Sequence, residues 1–241
     1  MKQIEKEWGE EGIMKKTRAF KWMLLSFLTL IILMACHTID STDETETSIE
    51  EGDTVIAAVG DSITAEYMSG ANYPKILEEK LGVGYSVVNF GESNYAAQSS
   101  SDYPYETTAS FEESLALEPD VVILMLGTND TKAHNWNGAD HFKEEYTQLL
   151  ENYLEVESVS GVILASPPTV FLRDVMEGSI DPENIEPIRD VVQEVAKEYE
   201  LEFVDMIEQT AGHSEWFFDG VHPTPEGAEA IAQIFYEQLR E

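Results

Sequence analysis

Positive charge, cysteine and long apolar runs are all scarce in this chain. It carries 14 Lys and Arg against 47 Asp and Glu, a formal net charge of −33 at pH 7. Six of the basic residues (Lys2, Lys6, Lys15, Lys16, Arg18, Lys21) precede Cys36, which leaves eight for everything beyond it. So acidic a surface repels phosphate backbones and excludes nucleic acid as a partner. Its plain consequence is a well-solvated exterior; adaptation to a salty or alkaline medium is the sharper one. The single cysteine, Cys36, excludes an intrachain disulfide. No G-x-S-x-G elbow occurs, which removes one large class of nucleophilic α/β folds. No histidine–carboxylate cluster has metal-ligand spacing and no glycine-rich loop matches a nucleotide fingerprint, so neither a metal nor a cofactor is expected.

Trp22 to Ala35 is an apolar stretch of 14 residues, short of the ~20 needed to span a bilayer. With Lys15, Lys16, Arg18 and Lys21 around its start it suits a signal-peptide core. It ends Leu33-Met34-Ala35-Cys36, which resembles the lipobox of bacterial lipoproteins. That resemblance implies a signal over residues 1–36, lipidation of Cys36, membrane attachment through the lipid and an exported, cell-surface location. An ordinary cleaved signal, or an uncleaved anchor with a chance cysteine, is the alternative. Met14 opens a conventional signal by itself, so residues 1–13 are consistent with a start codon assigned too early. Residues 37–53 are rich in Ser, Thr, Asp and Glu and poor in large apolar residues, which predicts a flexible acidic tether. The folded domain is expected over 54–241.

From Thr54 onward, strand and helix patterns alternate. Strands are predicted at 55–59, 85–89, 121–126, 161–165 and 202–205, and helices near 73–82, 107–117, 139–155, 184–199 and 225–240. The segment Val121-Val122-Ile123-Leu124-Met125-Leu126 is apolar without alternation, as a central parallel strand covered on both faces should be. Five β-α units with right-handed crossovers predict a three-layer α/β/α doubly wound sheet of five parallel strands, in flavodoxin-like order 2-1-3-4-5. Thr224 is a candidate N-cap, with Pro225 in the first turn behind it.

The chemistry is expected where the strands end. Gly60-Asp61-Ser62 follows the first strand, which makes Ser62 a candidate nucleophile. Asn89-Phe90-Gly91-Glu92-Ser93 follows the second and Gly127-Thr128-Asn129-Asp130 the third, while Asp219-Gly220-Val221-His222 precedes the last helix. Together these stretches resemble the four blocks of the SGNH hydrolases, also called GDSL esterases, over about residues 54–240. One departure is Asn94, where many relatives carry glycine.

A serine hydroxyl needs a base to attack at neutral pH. His222 can take the proton, and Asp219 can hold the other ring nitrogen and stabilise the imidazolium. The resemblance implies three donors for a tetrahedral oxyanion: the Ser62 amide, the Gly91 amide and the Asn129 side chain. A helix N-terminus after Ser62 would add a favourable dipole. Asp61 and Asp130 are read as loop braces. His213, before Trp216 and Phe217, either lines the pocket or packs there, packing being the plainer reading.

Thr131 to Trp136 should overhang the site and resembles the matching segment of bacterial SGNH carbohydrate acetylesterases; Ser166-Pro167-Pro168 fits the same group. His134 and Trp136 are therefore candidate substrate contacts, although Trp136 suits packing under a loop equally well. The expected activity is removal of small acyl groups, O-acetyl first among them, from carbohydrate. A lysophospholipase, thioesterase or general short-chain esterase is the enzymatic alternative. A glycan-binding surface lipoprotein with a vestigial triad is the non-enzymatic one.

Overall fold

Two apolar sets alternate along the strands, and that alternation builds the layers. A computed structural model describes residues 49–50, 52–66, 70, 72–171 and 179–240. The signal and Cys36 readings, and all but the last few tether residues, lie outside these. Of the tether, Glu50 and Asp53 close a turn: the Glu50 N–H donates to Asp53 Oδ2 at 3.2 Å and the Asp53 N–H to the Glu50 carbonyl at 3.1 Å.

The elements run β1 (Thr54–Gly60), α1 (Tyr73–Leu81), β2 (Tyr85–Gly91), α2 (Ala109–Ala116), β3 (Val121–Met125) and α3 (Ala139–Leu154). They continue with β4 (Gly161–Ala165), α4 (Ile185–Glu198), β5 (Glu202–Val204), a short α5 (Met206–Thr210) and α6 (Pro225–Gln238). The strands form one parallel sheet in the order β2-β1-β3-β4-β5, as the sequence predicts. Successive strand side chains point to opposite faces. Ala57, Val59, Val122, Leu124, Val162 and Leu164 meet Phe142, Tyr146 and Tyr153 of α3 and Ile188, Val192 and Val195 of α4. Ile56, Ala58, Ile123, Met125 and Ile163 meet Tyr73 and Leu77 of α1 and Ile231 and Phe235 of α6. Burying one such large side chain contributes ~1.5–3 kcal/mol relative to leaving it exposed.

Side-chain caps fix the helix starts. Asn72 Oδ1 accepts from the Lys75 N–H (3.0 Å), Thr108 Oγ1 from Phe111 (3.0 Å) and Thr224 Oγ1 from Gly227 (3.2 Å), the last with Pro225 behind it as its sequence suggests. The short α5 has no counterpart among the expected helices. Asp205 follows β5 directly and caps α5, its Oδ1 accepting the Glu208 N–H at 3.0 Å. Five residues are too few for a 3.6-residue period to register.

What positions the site is register. Gly60 pairs with Gly91 of β2 on one side and with Met125 of β3 on the other. Three strands therefore end at one level, and the loops after them emerge together. Glycine is required at both ends of the β1–β2 pair because backbones approach too closely for a side chain. A Cβ at Gly60 would lie 2.0 Å from Thr64 Oγ1, and one at Gly91 would lie 2.2 Å from the Ala65 nitrogen.

Candidate active site

Ser62 sits in a tight turn rather than at a helix start. The Asp61 carbonyl accepts the N–H groups of Thr64 (3.1 Å) and Ala65 (2.9 Å), and Asp61 Oδ1 accepts that of Ile63 (3.0 Å). Residues 62–66 are turn, and the next described helix begins at Tyr73. The helix dipole expected behind Ser62 is thus replaced by the turn itself. The turn presents the Ser62 hydroxyl toward the loop before α6. Among the described residues, the Ser62 N–H donates to no acceptor.

From that loop the Nε2 of His222 lies 2.9 Å from Ser62 Oγ, across 160 residues of sequence. His222 Nδ1 lies 2.6 Å from Asp219 Oδ2. Asp219 is itself fixed, because its Oδ1 accepts the N–H groups of Val221 (3.0 Å) and His222 (2.7 Å). Burial raises the Asp219 carboxyl, but the bonds from the His222 N–H, the His222 ring and the Val221 N–H outweigh it and hold the group below its ordinary range. An ionised carboxylate only accepts, so Nδ1 carries the imidazole hydrogen and Nε2 is left to accept from the serine hydroxyl. Ser62, His222 and Asp219 thus form one directed chain of hydrogen bonds.

Asn129 lies in a tight turn just beyond β3 and donates one Nδ2 hydrogen to the Tyr95 carbonyl at 2.9 Å. The amide has a second hydrogen to give. Gly91 departs from its expected part. Its N–H already donates to Asn89 Oδ1 at 2.9 Å, while Asn89 Nδ2 donates to the Thr64 carbonyl at 2.8 Å. Asn89 therefore ties β2 to the Ser62 turn, and Gly91 serves that close approach. Asn94 keeps the backbone shape that a glycine there would take, with φ at 78°; asparagine is the side chain that tolerates this best. Its Oδ1 accepts from Lys132 Nζ.

A buried polar layer supports these loops. Asp130 Oδ2 and Oδ1 accept the N–H groups of Ala97 and Gln98, each at 2.9 Å. Burial pushes the Asp130 carboxyl up to about 6, the two backbone bonds offsetting only part of the shift. Burial likewise raises Asp61, which is 1% exposed. Lys132 is pulled below its ordinary value by burial, against the charges of Asp102, Asp61 and Asp130. Asp61 and Asp130 thus brace loops.

The two candidate substrate contacts lie apart from this chain. His134 Nε2 is 2.9 Å from Asp102 Oδ2, and Asp102 Oδ1 also accepts from Asn135 Nδ2 at 2.9 Å. His134 therefore pins one loop to another through a carboxylate that sequence spacing could not reveal. Trp136 is half-buried and packs on Phe142, ring centroids 6.4 Å apart, against the core under α3. His213 stacks on Trp216 at 3.7 Å and 6°. Phe218 stacks on the His222 ring at 5.9 Å and 24°. Phe218 has no motif of its own in the sequence; its signal is the pair of aromatics, Phe217 and Phe218, directly before Asp219.

Residues 58–230 match the model of the GDSL-like lipase/acylhydrolase family. The chain belongs to that family. The match spans all four blocks and bears out the resemblance read from them. An acetylxylan esterase from Xylanibacter ruminicola is 30% identical over 208 residues, covering 77% of this chain and 43% of the relative. The chain thus spans less than half of that relative's length. Among solved structures, a carbohydrate acetylesterase from Sinorhizobium meliloti superposes with a TM-score of 0.61 at 19% identity, covering 78% of this chain and 99% of that one. An aryl esterase from M. smegmatis superposes at 0.63 with 20% identity, covering 78% and 98%. At these identities the structures speak for the fold, the five-stranded parallel sheet with helices on both faces.

Proposed function

We propose that the chain is a serine esterase that hydrolyses small acyl esters, O-acetyl groups on carbohydrate above all, through a Ser62 acyl-enzyme. The observation that carries this is the directed chain from Ser62 Oγ to His222 Nε2 and from His222 Nδ1 to Asp219. In the first half-reaction Ser62 Oγ attacks the ester carbon while its proton passes to Nε2. The negative oxygen of the tetrahedral intermediate is held by the Ser62 N–H and by the second Nδ2 hydrogen of Asn129. Collapse breaks the bond to the alcohol oxygen, which takes the proton from Nε2. Water then repeats the sequence on the acyl-enzyme and releases the acid. Family membership and the acetylxylan esterase relative support acetyl esters as the substrate.

Assaying the full chain beside Ser62→Ala on p-nitrophenyl acetate, longer acyl esters and acetylated oligosaccharides tests this reading. The parent is expected to turn over the acetyl esters and the variant to lose that activity. Equal rates for both proteins would refute the serine mechanism, and a preference for long acyl chains would refute the acetyl reading. The sequence Leu33-Met34-Ala35-Cys36 supports export and lipid attachment at Cys36. Cys36→Ser should then move the protein from the membrane fraction to the soluble one; an unchanged distribution would refute that attachment.

A further inference from the structure

We propose that Phe218 is the platform on which the alcohol part of the ester rests, a saccharide ring when the substrate is a carbohydrate acetate. The proposal builds on the esterase reading above and names the face that selects its leaving group. It starts from a proton. The leaving oxygen must receive its proton from His222 Nε2, so it has to lie within hydrogen-bond reach of that nitrogen. The ring attached to that oxygen begins one bond away, and so lies within reach of the side chains that flank the imidazole. Among the described residues, the flanking aromatic is Phe218, its ring centroid 5.9 Å from that of His222 and its plane inclined by 24°.

Phe218 is 46% exposed. Tyr103, another exposed aromatic, packs edge-on against Tyr95 on the Asn129 side. Phe218 is also held in place. Its N–H donates to the His222 carbonyl at 3.1 Å, Phe217 pairs with Pro223 across the turn, and the buried Phe217 ring packs on Phe171 at 5.6 Å. One turn thus fixes Asp219, His222 and the Phe218 backbone together, with the Phe218 ring resting on the imidazole, which lowers the ordering cost for a ligand that meets the ring. A phenyl face is flat, apolar and negative at its centre. A pyranose ring presents a face of C–H bonds of matching size and opposite polarity, and its hydroxyls stay in water at the rim. In so acidic a surface, an uncharged flat face at this spot favours a neutral sugar over an anionic headgroup.

The test compares two acetates on the full chain: a peracetylated xylose, whose alcohol part is a ring, and ethyl acetate, whose alcohol part has none. kcat and KM are measured for the parent, Phe218→Ala, Phe218→Leu and Phe218→Trp. In Phe218→Ala the ratio of kcat/KM for the sugar ester to that for ethyl acetate should fall by about tenfold, chiefly through KM of the sugar ester. Phe218→Leu should fall between, and Phe218→Trp should hold the ratio within about twofold, since its face is larger. The leucine and tryptophan variants keep the comparison decisive if the alanine variant fails to fold. An unchanged ratio across the variants would overturn the platform. An equal loss on both substrates would overturn it too, leaving the ring as a buttress of His222. A parent that hydrolyses ethyl acetate but not the sugar ester refutes the carbohydrate reading, and the platform with it, before any Phe218 variant is measured.

Discussion

Replacing Asp219 by asparagine exchanges one carboxylate oxygen for an NH2 group and breaks the relay in a way the structure specifies. The carboxylate accepts three hydrogen bonds, from the Val221 and His222 N–H groups on Oδ1 and from the imidazole on Oδ2. An amide has one oxygen and an NH2 group that only donates. If its oxygen stays with the two backbone N–H groups, the NH2 faces Nδ1 at 2.6 Å and can bond it only when Nδ1 is bare. The imidazole hydrogen then moves to Nε2, which can no longer accept the Ser62 proton. If the amide is flipped, two backbone donors face an NH2 and the turn that carries His222 is weakened. The first arrangement removes the base while leaving the serine in place; the second keeps the tautomer but costs the turn two hydrogen bonds and the imidazolium its counter-charge. Wrong-tautomer variants of this type lose ~10⁴ in kcat, or ~5.4 kcal/mol of transition-state stabilisation at 1.36 kcal/mol per tenfold. The assay is kcat on p-nitrophenyl acetate for purified Asp219→Asn, with circular dichroism and a thermal melt to show that the fold persists. A folded variant that keeps more than about a tenth of parental kcat would refute the tautomer reasoning, since a tenfold loss is only about 1.4 kcal/mol.

Other perturbations separate the roles of the surrounding groups. Asn129→Ala should lower kcat by ~100–1000-fold with KM little changed, as for other lost oxyanion donors; parallel loss in KM alone would place Asn129 outside the transition state. Gly91→Ala, whose methyl would meet the Ala65 nitrogen at 2.2 Å, should cost ~1–3 kcal/mol in urea unfolding, whereas unaltered stability would refute the close-packing role. Asp130 is held protonated in the fold up to about pH 6, above the ordinary aspartate value of about 4. Between those values the folded chain binds the proton and the unfolded one does not, so stability falls as pH rises from about 4 to 6 and levels off above. Urea melts of Asp130→Asn and parent at pH 4, 5, 6 and 7 should therefore show the variant gaining on the parent through that window. A difference that stays flat with pH would contradict the raised carboxyl.

The parts of the fold that sequence made legible were those written in local pattern. The unbroken apolar run at Val121–Met125 became the central strand, buried from both sides, and alternate residues of it feed the two cores. The positions of Ser62, Asn129, Asp219 and His222 at strand ends and before a helix were legible because parallel sheets gather such loops at one edge. What stayed hidden depends on contacts between distant loops. Asp102 is 32 residues from His134, and no spacing rule links them. That the Gly91 N–H is already committed follows from the Asn89 side chain turning back on its own strand, a rotamer choice invisible in sequence. The turn at residues 62–66 replaced an expected helix start because Asp61 captures three successive N–H groups with its carbonyl and side chain.

In the proposed mechanism Ser62 forms the covalent intermediate with His222 as its base. The most direct measurement treats the full chain with a fluorophosphonate and locates the adduct by peptide mass spectrometry. A single adduct on Ser62, lost in His222→Ala and absent from Ser62→Ala, is the predicted result. Labelling at another residue, or undiminished labelling of Ser62 without His222, would contradict it.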